Sequence, residues 1–178
     1  MMMIAGKFMD GLALHYYTIP TDTWKGSKGP SIGFAEDQYF AALRYALRMD
    51  EYLTKQIATM DQFDEEKKVG MVVDEWGIWT DVEPGTNPGF LQQQNTLRDA
   101  ILAALNFHIF HAHADRVTMA NIAQIVNVLQ AMILTDKEKM VLTPTYHAFE
   151  MYKVFQGATV LPVKLATPDY VFGKEKIP

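Results

Sequence analysis

The run Val69-Gly70-Met71-Val72-Val73-Asp74-Glu75, followed by Trp76-Gly77-Ile78-Trp79, constrains this chain more than any other stretch. A short apolar run bounded by charge and glycine reads as a strand buried on both faces, as parallel strands covered by helices are. In parallel α/β architectures ligands meet the protein at the carboxyl ends of strands, so Asp74 and Glu75 emerge where chemistry is usually done. Neighbouring strand residues point to opposite sides, so only one of the two carboxylates is expected to face a pocket. Trp76 and Trp79 add flat apolar surface of the kind on which sugar rings stack. A carboxylate that caps the next helix or pairs with an Arg is the structural alternative.

Around that run, strand-like and helix-like segments alternate. Gly11 to Tyr17 reads as a first strand, followed by a Gly/Ser/Pro-rich loop to about Gly33 that is long enough to sit over something. Glu36 to about Met60 reads as one helix, with Phe40, Leu43 and Leu47, then Leu53, Ile57 and Met60, on its apolar stripe. The central strand is expected at Val69 to Glu75. Asn87-Pro88 then predicts a helix opening at Pro88 and running to about Leu105. Phe107 to His113 reads as a third strand and Thr118 to about Leu134 as a third helix, striped by Met119, Ile122, Val126, Leu129 and Ile133. Tyr146 to Val154 suits a strand or a short helix, and Ala158 to Leu165 an edge strand because of Pro162. Three βα units in series imply an α/β fold with a parallel sheet.

Composition narrows the function. With 178 residues, 49% of them hydrophobic, the chain can bury a sizeable core. A formal net charge of −5 supplies no basic field for phosphate backbones, so no nucleic-acid partner is expected. The absence of Cys excludes disulfides, thiolate metal sites and a Cys nucleophile. No apolar run is long enough for a membrane span. The start, Met1-Met2-Met3-Ile4-Ala5-Gly6-Lys7, lacks the features of a secretion signal and reads as an arbitrary start inside a longer frame. As it stands the chain is expected in the cytoplasm; the compartment of a longer protein is open.

A complete eight-stranded α/β barrel takes roughly 200 residues or more, and three units cannot close one. Here four motifs carry a resemblance: Leu14-His15-Tyr16-Tyr17; Val73 to Trp79; Gln93-Gln94-Asn95-Thr96-Leu97-Arg98-Asp99-Ala100; and Ala114 to Val128 with its Asn121-Ile122-Ala123-Gln124. Together with Leu142 to Tyr152 they resemble, in order, family 51 of the glycoside hydrolases, the α-L-arabinofuranosidases. The resemblance implies that residues 1–142 are the sixth to eighth units of a (β/α)8 TIM barrel and that 143–178 begin a C-terminal β-sandwich domain. It also implies a terminal arabinofuranose of an arabinose-containing glycan as substrate, no cofactor or metal, and homo-oligomers.

Residue by residue, the resemblance places Glu75 on the family's nucleophile and Tyr17 on a tyrosine beside nucleophile and sugar, with His15 nearby on the same strand. Gln124 falls on an amide that binds arabinose hydroxyls, and Trp79 on an aromatic position near the sugar. The family's general acid/base, a Glu after an Asn on the fourth strand, has no counterpart, because the match begins at the sixth. Retaining glycosidases need two carboxyl groups roughly 5 to 5.5 Å apart, and here only Glu75 qualifies. Asp74 is expected to diverge from it. The chain alone is therefore expected to be inactive; a non-catalytic carbohydrate-binding remnant is the alternative.

The histidines invite a different hypothesis. On the expected third strand His111 and His113 share a face near His108, which would suit a metal-assisted hydrolase. No Cys and no well-spaced carboxylate completes the set, so core or pocket histidines are the expected reading.

Overall fold

Gly11–Thr18 (β1), Gly70–Ile78 (β2) and Val117–Ile122 (β3) pair in parallel with β2 in the centre, in a computed structural model that describes residues 1–178. Parallel neighbours need a crossover. After a short opening turn, Met2–Ala5 (α1), the first crossover is made by Glu36–Ala46 (α2) and Arg48–Asp61 (α3), the second by Leu97–Ala112 (α4). The hairpin Ile133–Asp136 (β4) and Lys139–Leu142 (β5) follows, then helix Pro144–Tyr152 (α5) and a last hairpin, Tyr170–Phe172 (β6) with Glu175–Ile177 (β7). The α/β class and the parallel sheet agree with the sequence. No helix is long and apolar enough to cross a membrane.

Strand alternation sorts the sheet's residues. Leu12, Leu14 and Tyr16 of β1, Met71, Val73 and Trp76 of β2, and Val117, Ala120 and Ile122 of β3 all turn toward the helices. There they meet Met49, Leu53, Ile57 and Met60 of α3, spaced to form one helix face, and Ala100, Ala103, Phe107 and Phe110 of α4. The other face is uncovered: Ala13, His15, Thr118, Met119 and Asn121 are exposed and Val72 is half-buried. The central strand is thus dry on one side only, a correction to the expectation of burial on both. β1 and β3 have no outer neighbour.

The expected helix Glu36 to Met60 is two helices that meet at Leu47. The break lets α2 turn Phe40, Leu43 and Ala46 into a second cluster with Ile78, Leu102 and Ile177, while α3 faces the sheet. Tyr170 of β6 lies on Phe40, ring centroids 5.2 Å apart, and the Arg44 guanidinium pairs with Glu175, so the last hairpin is seated on α2.

Larger corrections follow β2. Asn87 caps only one turn, Pro88–Phe90, by accepting from the Gly89 N–H at 2.9 Å; Leu91 then takes φ 51° and ends it. The long helix starts instead at Leu97, where the Asp99 carboxylate accepts from the Thr96 N–H at 2.7 Å. Phe107 to His113 therefore belongs to α4 and its cap, not to a strand. The third strand is Val117–Ile122, which overturns the helix expected over Thr118 to Leu134; Asn127 at φ 60° and Leu129 at φ 52° cannot sit in a right-handed helix. Tyr146 to Val154 resolves as helix, with Thr143 as cap and Pro144 in the first turn. Ala158 to Leu165 is exposed and has no strand partner, so the expected edge strand is absent.

At the amino end of the sheet a buried guanidinium ties the crossovers together. Arg116 Nη1 donates to Asp64 Oδ2 at 2.6 Å and to the Val69 carbonyl at 3.0 Å, and Nη2 pairs with Asp61. The Val69 N–H first, and Arg116 after it, hold the Asp64 carboxyl below the usual carboxylate range.

Candidate active site

The carboxyl ends of β1 and β2 are shaped by a β-bulge. Ala13 pairs with Val72 and His15 with Glu75, so two steps along β1 match three along β2. The extra residue breaks the alternation: Val73 and Trp76 enter the core, and the consecutive Asp74 and Glu75 both stay half-exposed on the uncovered face. Two expectations fall with it. Asp74 and Glu75 do not diverge, because the bulge adds half a period. Trp76 is no stacking platform; it is fully buried, its ring 5.6 Å from Phe107 and 5.2 Å from Phe110.

Around Glu75 the side chains converge. The Tyr17 hydroxyl donates to Glu75 Oε2 at 2.9 Å, while Oε1 accepts no hydrogen bond. His15 stands two residues before Tyr17 on the same face of β1, with Nδ1 3.6 Å from Glu75 Oε2 and Nε2 2.9 Å from Asp74 Oδ1. Burial raises the Tyr17 phenol's pKa, and the adjacent carboxylate raises it further, so the hydroxyl keeps its proton to donate.

Beyond β2, the backbone is braced by two buried amides. Gln130 Oε1 accepts from the Ile78 N–H at 2.8 Å; Gln93 Oε1 accepts from the Thr80 N–H at 3.0 Å and its Nε2 donates to the Ile78 carbonyl at 3.1 Å. Gly77 makes room: at φ 138° it holds a conformation side chains avoid, and a Cβ there would meet Gln130 Oε1 at 3.0 Å. Trp79 is thereby held against Tyr17, centroids 5.2 Å apart, with Trp24 at 5.6 Å on its other side. Trp24 comes from the long loop after β1, which does cover the site. Arg48 clasps Asp22 with two hydrogen bonds, at 2.6 and 3.0 Å, and Asp81 accepts from the Lys28 N–H at 2.7 Å, fixing both limbs of that loop.

A cleft of about 550 Å³ results, lined by His15, Tyr17, Glu75 and Trp79 together with Trp24, Tyr45 and Arg48. Four of the five candidate residues therefore meet. Gln124 does not join them: it is exposed in the loop after β3 rather than on a helix, and its side chain makes no hydrogen bond. Trp24, Tyr45 and Arg48 were missed by sequence reasoning, and Asp74 was expected to turn away from Glu75. The long loop signalled Trp24; nothing in the local pattern signals a bulge.

The histidines of α4 separate. His113 Nε2 lies 2.7 Å from Asp50 Oδ1, His108 bonds the Tyr152 hydroxyl, and His111 packs on Phe155 with burial holding its pKa below the ordinary value. No three His, Asp or Glu side chains are grouped to hold a metal ion. The shared strand face expected for His111 and His113 does not exist.

Comparison with known proteins adds independent observations. The family described as the α-L-arabinofuranosidase C-terminal domain matches residues 74–177. An intracellular exo-α-L-arabinofuranosidase of Bacteroides ovatus is 54% identical over 160 residues, 90% of this chain and 31% of that protein. The crystal structure of the GH51 arabinofuranosidase from Xanthomonas axonopodis pv. citri superposes with a TM-score of 0.97 at 60% identity, over 100% of this chain and 36% of the other. An α-L-arabinofuranosidase from Thermotoga maritima, solved with arabinose, superposes with a TM-score of 0.63 at 26% identity, over 84% of this chain and 27% of that one. The chain spans about a third of the length of these relatives.

Proposed function

Since the chain belongs to the α-L-arabinofuranosidases of glycoside hydrolase family 51, we propose that it carries the nucleophilic half of a retaining arabinofuranosidase site, with Glu75 as nucleophile. The observation that carries this reading is a carboxylate at a strand's carboxyl end, one oxygen held by Tyr17 and the other unbonded, in an aromatic cleft. Glu75 Oε1 attacks the anomeric carbon of a terminal arabinofuranose as the bond to the leaving oxygen breaks. A second carboxyl group, roughly 5 to 5.5 Å across the sugar, protonates that oxygen. The same group then takes a proton from water, which attacks the anomeric carbon and frees Glu75 from the glycosyl ester. Asp74 is not that group: it lies beside Glu75 on the same strand, on His15.

The acid/base therefore comes from outside these residues. A three-stranded parallel sheet, helix-covered on one side, bare on the other and open at both rims, supports reading these strands as a segment of a (β/α)8 barrel, its sixth to eighth by the family resemblance. On this reading residues 1–142 belong to that barrel and 143–178 lead into a β-sandwich. Trp79 and His15 contact the sugar, and Gln124, at the carboxyl side of β3, reaches its hydroxyls once the barrel closes. Arabinose-containing polysaccharides or oligosaccharides are the substrates.

The test is covalent trapping. The chain, mixed with the complementary amino-terminal part of a family 51 enzyme, is incubated with an activated 2-deoxy-2-fluoro arabinofuranoside and mapped by peptide mass. Label on the Glu75 peptide is expected. Label elsewhere, or none while the mixture binds arabinose, favours the non-catalytic carbohydrate-binding alternative. In the same mixture Tyr17→Phe is expected to lower kcat by about 10- to 100-fold, the loss of a hydrogen bond to a charged group, with KM little changed; an unchanged kcat would leave Tyr17 as packing.

A further inference from the structure

We propose that Asp81 is a positioning residue of the cleft's outer wall: its carboxylate ties down the loop after β1, so that Trp24 stands against Trp79 and takes the sugar adjoining the one released. That the occupant is a sugar rests on the hydrolase reading; that Asp81 seats Trp24 does not. Asp81 lies two residues past Trp79, on backbone already braced where Gln93 accepts from the Thr80 N–H. From there it reaches the loop tip. Its Oδ1 accepts from the Lys28 N–H at 2.7 Å, its Oδ2 from the Ser27 hydroxyl, and its own N–H donates to the Gly29 carbonyl at 2.9 Å. The Thr21 hydroxyl donates to the Ser27 carbonyl at 2.9 Å, so the turn that carries Trp24 is closed on itself and follows the tip. Lys28 completes the seat: its Nζ donates to the Trp24 carbonyl at 3.3 Å and lies 5.2 Å from the centre of the Trp79 ring.

Tyr17, Trp79 and Trp24 thus form one aromatic row leading away from Glu75, with centroids 5.2 and then 5.6 Å apart. Tyr17 bonds the nucleophile, so the inner end of the row belongs to the sugar under attack. Trp24 stands at the outer end. It is 65% exposed, and apart from its contact with Trp79 its ring offers surface that the fold does not use. Such a ring suits the apolar C–H face of a sugar. The cleft, at about 550 Å³, is of the size that holds a drug-sized ligand and exceeds what one pentose fills. Arg48 anchors the turn at Asp22, ahead of Trp24, and Asp81 anchors it behind. A tryptophan fixed in this way before the ligand arrives spares the ordering cost that a loose one would impose on binding.

The seat is read on the chain itself by proton NMR, with Trp24→Phe and Trp79→Phe identifying the indole signals. The two rings are expected to show cross-relaxation, and the Lys28 methylenes to be shifted upfield by the Trp79 ring. Asp81→Ala is expected to abolish both signatures. Asp81→Asn keeps an oxygen for the Lys28 N–H and an amide that can donate to the Ser27 hydroxyl, and is expected to restore them. A native chain without the cross-relaxation, or an Asp81→Ala spectrum like the native one, overturns the proposal. Should Asp81→Ala not fold, Ser27→Ala is expected to weaken the cross-relaxation, and an undiminished signal overturns it equally. The platform is read in the mixture used for trapping. Arabinofuranobiose is expected to move the Trp24 indole signal, and arabinose, which fills the inner position, to leave it in place; no movement, or equal movement with both, overturns the proposal. Trp24→Ala and Asp81→Ala are each expected to lower kcat/KM for arabinofuranobiose relative to arabinofuranosyl fluoride, whose leaving group has no ring, by about 10-fold, the scale of one aromatic contact. An equal loss on both substrates would reduce Asp81 to a structural role. Failed trapping at Glu75 with the Trp24 shift intact would sink the hydrolase reading only.

Discussion

Glu75→Gln is expected to abolish release of an aryl group from an aryl α-L-arabinofuranoside by the reconstituted enzyme, a loss of about 10⁴- to 10⁶-fold in kcat, the scale seen when a covalent nucleophile is removed. The amide nearly matches the carboxylate in size and still accepts from the Tyr17 hydroxyl, so the cleft keeps its shape. KM should therefore stay within a few-fold while kcat collapses, because what is lost is the bond made in the transition state rather than ground-state binding. Steady-state kinetics on purified mixtures, with circular dichroism to establish that the variant folds, make the measurement. A variant retaining a tenth of native kcat would transfer the nucleophile's role elsewhere, and Asp74, beside Glu75 on the same face, would be examined first.

The second large effect concerns stability. Trp76→Ala is expected to lower the free energy of unfolding by about 3 to 5 kcal/mol, the range for truncating a buried Trp, measured by urea denaturation. Trp76 is fully buried, edge-on to Phe107 and Phe110 and stacked on Phe149 at 6.1 Å, so its loss opens a cavity between sheet and helices. It is also the residue that restores β2's phase after the bulge. Trp76→Phe is expected to cost less than about 2 kcal/mol: it keeps the aromatic contacts and removes an indole N–H that has no hydrogen-bond partner. A cost below about 1 kcal/mol for the alanine variant would mean that the bulge is held by something other than this ring.

How much of this was legible depends on where the signals were local. β1, β2 and the helical region between them follow from short apolar runs and 3.6-residue stripes, and the loop over the cleft from its length. Beyond β2 the periodicity misled. Phe107 to His113 is a short aromatic run, and such runs do not distinguish strand from helix. The decisive signal, Thr96 with Asp99 three residues on, was present and outweighed by Asn87-Pro88, which caps a single turn. Met119 to Ile133 mimics a helical stripe, yet Asn127 and Leu129 lie at positive φ, which no stripe reveals. At the site, Glu75 and Trp79 were legible from the carboxyl end of an apolar run, and Tyr17 and His15 only through the family resemblance of their motif. The pairing of Asp74 with His15 was not, since it depends on one unpaired residue whose position only the neighbouring strand determines.

The two open rims of the sheet have a practical meaning for handling this polypeptide. Each presents a ladder of unmet donors and acceptors that will accept any extended segment of matching length, native or not. At high protein concentration the nearest such segment is another molecule of the same sequence, and self-templated oligomers will outcompete the proper complement. Recovery of activity should therefore rise as the solution is diluted, provided the complementary part is in excess from the first moment of refolding.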